Sequence, residues 1–159
     1  MLRTQDTQIK RHKEATNISH SSPEGLLPID QTLVINLETR TISLLSDGPT
    51  LIVEQQLSIN ELHLLVPILE SFPHYCPYEV LLSHLITKVV TEASIERCRQ
   101  HLREAQDCGR WEQELRPVRR ALSSLRNKLY RLDLGISNIR ERGCGLISLA
   151  TQSPETQQL

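Results

Sequence analysis

The chain has 159 residues, a formal net charge of −1, a hydrophobic fraction of 38% and a charged fraction of 23%, which suits one small domain with tails and excludes a multidomain enzyme or a wholly disordered polymer. One Trp, one Phe and three Tyr leave little material for a site built on stacking aromatics against single-stranded bases.

Residues 1–30 are rich in Gln, Thr, Ser, Lys and His, carry Pro23, Gly25 and Pro28, and have no sustained period, which predicts a flexible leader, either without structure or forming a short strand-like arm. Leu33 to Leu37, Thr41 to Leu45 and Leu51 to Glu54, separated by Glu38-Thr39-Arg40 and by Asp47-Gly48-Pro49, predict a small antiparallel sheet. Ser58 and Glu61 have the spacing of a capping box, and Leu62, Leu65, Val66 and Leu69 recur at helical spacing. A helix over about 59–71 follows, with Pro67 as its one discordant residue. Pro77 suits the first turn of a second helix beginning at Tyr78. Residues 91–113, with Ile95, Cys98, Leu102 and Ala105 on one stripe, predict an additional amphipathic helix ending near Cys108-Gly109. A further helix starts at Glu114 to Pro117 and turns Val118, Leu122, Leu125, Leu129 and Leu132 inward, with Leu134-Gly135 expected to end it. Residues 136–149 then predict a two-strand hairpin, and 151–159 a disordered tail.

The charge average hides an asymmetry. Residues 116–142 carry Arg116, Arg119, Arg120, Arg126, Lys128, Arg131, Arg140 and Arg142 against Asp133 and Glu141, a net +6 on a remainder of −7. A basic segment on an acidic body is the layout of a protein that presents one face to phosphates. Opposite the apolar stripe of the last helix stand Arg116, Arg120, Ser123, Ser124, Asn127 and Arg131, residue types that suit the DNA major groove, where Arg bridges guanine O6 and N7 and Asn pairs with adenine N6 and N7. Arg140 and Arg142 fall near the hairpin tip.

These segments resemble the winged-helix effector domain of OmpR/PhoB-type transcriptional regulators. Residues 118–129, VRRALSSLRNKL, are similar to that family's recognition helix, and residues 136–146, ISNIRERGCGL, to its terminal hairpin. Leu57-Ser58 with Glu61-Leu62 and Leu64-Leu65 resembles the start of its first helix, and Glu79 to Leu82 its second. The likeness runs in order over residues 31–150. It implies an α+β fold, a winged helix-turn-helix with an N-terminal antiparallel sheet, three core helices, here with one inserted helix at 91–113, and a C-terminal β-hairpin wing. It also implies sequence-specific binding of double-stranded DNA and transcription regulation, the third helix entering the major groove and the wing reaching the adjacent minor groove or backbone. Arg116, Arg119, Arg120, Ser123, Ser124, Asn127 and Arg131 are then expected on the recognition surface, and Arg126, Lys128, Arg140 and Arg142 on the backbone or wing contacts.

The chain departs from the family at Glu141, where a wing glycine is usual, at Cys144 in place of Tyr, and at Ala121 and Arg119 in place of His and Asp. Specificity therefore does not transfer from a relative. Nor is a receiver segment legible, so control through a phosphorylated Asp is not expected. The inserted helix is a candidate contact for RNA polymerase or another regulator, and a homodimer on DNA is compatible with the family. The competing reading is a winged-helix adaptor that binds protein and not DNA. Salt dependence separates the two, because only DNA releases condensed counterions.

No cofactor, metal or catalytic site is expected. Cys76, Cys98, Cys108 and Cys144 have no C-x-x-C spacing, His74 and Cys76 lack further ligands at usable spacing, and neither a P-loop nor a dinucleotide glycine pattern occurs. Unpaired thiols, with no apolar stretch of signal-peptide or membrane-span length, lead to the expectation of a cytoplasmic protein that does not contact membrane.

Overall fold

The computed structural model describes residues 17–18, 24–47 and 50–150. Most of the expected leader, the Gly48-Pro49 part of the expected turn and the tail 151–159 lie outside the described residues. The fold is mixed α and β, with five helices and two small antiparallel sheets among the described residues, and it divides after Ser58 into two compact units. No described helix is long and apolar enough to cross a membrane.

The first unit is a four-stranded sheet of β1 (Asn17–Ile18), β2 (Gln31–Asn36), β3 (Thr41–Ser46) and β4 (Thr50–Gln56), in that spatial order. The period of two in β2 and β3 buries Leu33, Ile35, Ile42 and Leu44 on a common face, because Leu33 pairs with Leu44 and Ile35 with Ile42. The β2–β3 connection closes on Asn36, whose Oδ1 accepts from the amides of Glu38 and Thr39 at 3.0 Å each, with Arg40 in the left-handed region at φ 54°. Part of the leader is thus a strand, since Asn17 and Ile18 pair with Asn36 and Ile35. A register shift between Leu44 and Leu45 places Val53 and Leu51 opposite them and leaves Ile52 as the extra residue of a bulge.

The second unit begins with α1 (Ile59–Ser71), which is continuous through the buried Pro67. It then runs through β5 (Cys76–Pro77), α2 (Tyr78–Ile86), α3 (Glu92–Asp107), the single turn α4 (Trp111–Glu114), α5 (Arg116–Tyr130), β6 (Leu134–Ile139) and β7 (Gly143–Ser148). Leu62, Leu65 and Ile68 of α1, Leu81 of α2 and Val118, Leu122, Leu125 and Leu129 of α5 are buried, each such side chain contributing about 1.5–3 kcal/mol on leaving water. α1 packs on α2, α5 and β7. The three strands form a sheet in the order β5-β7-β6, so the short strand ahead of α2 is stitched to the last strand of the hairpin.

The expected helix over 91–113 is two helices. α3 starts at a capping box in which Thr91 Oγ1 accepts from the Ser94 amide at 3.1 Å and Ser94 Oγ accepts from the Thr91 amide at 2.9 Å. Its chain reverses at Gly109, φ 71°, before α4. At the end of α5 the sequence expectation that Leu134-Gly135 stops the helix is corrected. Asp133, at φ 57°, makes the left-handed step after Tyr130, and Leu134 and Gly135 already belong to β6. Asp tolerates that conformation better than most L-residues, so the stop is placed two residues ahead of the glycine.

The β6–β7 turn spans Ile139 to Arg142, closed by the Arg142 amide on the Ile139 carbonyl at 3.0 Å, and Glu141 inside it has φ 62°. A left-handed L-residue costs the folded state about 1–2 kcal/mol, while the added freedom of glycine favours the unfolded chain by about 0.5–1 kcal/mol. Glu141→Gly is therefore expected to stabilise the protein by about 0.5–1 kcal/mol, read as a raised urea midpoint at constant m-value. A lowered midpoint would contradict the strain.

Candidate nucleic-acid interface

α5 is the most sharply two-sided of the described helices. Val118, Ala121, Leu122, Leu125 and Leu129 form its buried face. At 100° per residue, positions 116, 120, 123, 127 and 130 fall within about 80° of one another on the opposite side. Arg116, Arg120, Ser123, Asn127, Tyr130 and, at the edge of the row, Arg131 are all exposed. The structure thus brings together five of the seven residues expected on a recognition surface and adds Tyr130, which is 71% exposed and which the sequence reading left out. The signal for it was present: Tyr130 continues the row three residues after Asn127.

The other two have structural partners. Arg119 Nη2 donates to Glu112 Oε1 at 3.1 Å, while its Nε lies 2.9 Å from Oε2 at an angle unsuited to a hydrogen bond. The guanidinium also stands 5.9 Å from the Tyr78 ring centroid, and that ring meets the indole of Trp111 edge-on at 6.1 Å. Arg119 therefore joins α5 to α4 and to the first residue of α2. Burial raises the Tyr78 phenol above its ordinary range, an effect opposed by the nearby Arg119 charge, so the ring stays neutral.

Ser124 is exposed, yet its hydroxyl donates to Glu61 Oε1 on α1. Lys128, expected on phosphate, donates instead to Glu61 Oε2 at 2.7 Å. The Glu61 side chain is only 4% exposed and that of Lys128 30%, so the acid in the first turn of α1 is also a buried anchor for α5. Arg126 likewise faces inward along the unit. Its Nη2 donates to Asn138 Oδ1 at 2.6 Å and its Nε to the Ile136 carbonyl at 3.4 Å, fixing α5 to β6. Two bonds to one strand, the one to Asn138 short, set the hairpin relative to the helix.

Arg140 and Arg142 flank Glu141 at the exposed tip of the β6–β7 hairpin, and among the described residues neither forms an ion pair with it or with another carboxylate. The start of β7, just behind that tip, is tightly held. Cys76 pairs with Cys144 across β5 and β7, Pro77 pairs with Gly143, and the Tyr78 amide donates to the Arg142 carbonyl at 3.0 Å. Both thiols are fully buried, and burial pushes Cys76 up to about 11 and Cys144 up to about 12. As protonated thiols they are packing residues, without the thiolate that nucleophilic chemistry or metal binding needs. Among the described residues no group of three His, Cys, Asp or Glu side chains could hold a metal ion.

The arrangement can do one thing chemically without rearrangement. It presents a straight row of guanidinium, hydroxyl and carboxamide groups on a helix braced from behind, with two further guanidinium groups on a hairpin fixed to that helix. No family model, no curated protein and no solved structure matches this chain.

Proposed function

We propose that the protein binds double-stranded DNA sequence-specifically and regulates transcription, with α5 as the recognition helix of a winged helix-turn-helix and the β6–β7 hairpin as its wing. The observation that carries this reading is the exposed row Arg116, Arg120, Ser123 and Asn127 on α5, free of structural partners among the described residues and backed by a buried apolar face. The order α1, β5, α2, α5, β6, β7, with β5 paired to β7, supports the winged-helix assignment, and α3 with α4 is then an insertion between its second and third helices. In this reading Arg116, Arg120 and Asn127 contact base edges and Ser123 a base or phosphate. Arg131, Arg140 and Arg142 neutralise phosphates or enter the minor groove. Arg119, Ser124, Arg126 and Lys128 are removed from the contact set and act by holding α5 in place.

The test is fluorescence anisotropy of the full chain on duplex DNA from its own upstream region and on an unrelated duplex. Arg116→Ala and Arg120→Ala are each expected to cost about 1–3 kcal/mol on the preferred duplex and to relax preference at one base position. Equal weakening on both duplexes would remove these residues from base reading.

A further inference from the structure

Away from α5, the C-terminal end of α2 and the first turns of α3 enclose an open groove of about 310 Å³ lined by Ile86, Thr87, Ser94, Arg97, Cys98 and His101. Its floor is built in advance of any ligand. Ser94 Oγ lies 2.9 Å from Ser83 Oγ in a buried hydroxyl pair, Cys98 is buried beside it, and the Thr87 hydroxyl donates to the Ser83 carbonyl at 2.7 Å. One of its lining residues is a large apolar side chain left mostly exposed, Ile86 at 63%.

The charges around it are not balanced. His101 is engaged by Glu114 at 2.8 Å, and Arg99 by Glu79 and Glu96. Glu104 accepts from Gln100. Arg97 on the groove wall and Lys88, next to the wall residue Thr87, are exposed and have no carboxylate partner among the described residues. On the 100° wheel of α3, Glu92 and Glu96 fall on the far side from Ser94, Cys98 and His101. An apolar slot with one cation without a carboxylate partner on its wall, Arg97, and a second, Lys88, next to a wall residue in the chain matches a ligand that has an aliphatic side chain flanked by carboxylates.

We infer that this groove docks an acidic segment of a partner protein, with a leucine-like side chain in the slot and carboxylates on Arg97 and Lys88. Duplex DNA fits the place poorly, since phosphates have no use for the exposed Ile86. The site is independent of the α5 row, so one can fail without the other.

The experiment titrates the full-length, ¹⁵N-labelled protein with a short synthetic peptide carrying Leu on successive turns between Asp and Glu, its termini capped. The amides of Ile86, Thr87, Arg97 and Cys98 are expected to shift. Binding should weaken about tenfold with Arg97→Glu, and similarly when the peptide's acids are replaced by Asn and Gln. Ile86→Asp, at an exposed position that folding does not need, should abolish binding, while Arg120→Glu should leave it unchanged. No shifts at millimolar peptide would overturn the inference. So would equal binding of the neutral peptide, or shifts confined to 116–131, where an acidic peptide could be attracted by the arginine row alone.

Discussion

Gly143→Ala is expected to destabilise the 59–150 unit by about 3 kcal/mol or more, the range in which overpacking against immovable atoms falls. A methyl group at this position would lie 2.0 Å from the Cys76 carbonyl oxygen, 2.8 Å from its carbon and 2.9 Å from Pro77 Cα. All three are backbone atoms, so no side-chain rotation relieves the clash, and β5 must leave β7. That movement would also break the bond from the Tyr78 amide to the Arg142 carbonyl and loosen the hairpin against α2. Gly145, two residues along the same strand, is the control. Its nearest neighbour would be Tyr75 Cα at 3.5 Å, an ordinary contact, and Gly145→Ala should change stability by no more than about 0.5 kcal/mol. Urea unfolding of both variants checks the pair, and equal effects would contradict the close approach at Gly143.

Lys128→Ala is expected to cost about 2–3 kcal/mol, because it leaves the Glu61 carboxylate in a buried site without its cation. The figure is set below that of a fully buried pair because the lysine retains contact with water and Ser124 still donates to the acid. Glu61→Gln combined with Lys128→Ala should recover most of the loss, since the neutral amide keeps an acceptor for Ser124 and no longer needs a cation. Arg120→Ala, on the exposed face, should lie within about 0.5 kcal/mol of the parent protein. A Lys128→Ala effect as small as that of Arg120→Ala would deny Glu61 its anchoring role.

The local periodicities carried the elements. The spacing of Leu62, Leu65 and Leu69 placed α1 over the residues observed, and the alternation of Leu33 and Ile35 against Ile42 and Leu44 placed two paired strands. What a local pattern does not contain is the partner at long range. The spacing of Ser58 and Glu61 suggests a local capping role, and nothing in it announces that the Glu61 carboxylate also accepts from residues 63 and 67 positions away. Arg126 and Lys128 fall at the two borders of the apolar face on a 100° wheel, about 40° from Leu122 and about 20° from Ala121, and only the packing of α1 and β6 against α5 supplies the partners that hold them there. The helix stop at Asp133 was missed for a different reason: the glycine rule favoured Gly135, and an Asp in the left-handed region has no distinguishing sequence mark. The exposed row itself was legible, since the apolar stripe of α5 fixes its complement.

The central claim is that α5 and the hairpin tip bind duplex DNA, and the most direct measurement is affinity of the full chain for a duplex as a function of salt. The account predicts a linear fall of log affinity with log salt, with a slope that decreases by about 1 for Arg140→Ala and for Arg142→Ala and is unchanged by Lys128→Ala where that variant is folded. No binding at about 50 mM salt, or an affinity that does not depend on salt, would contradict it.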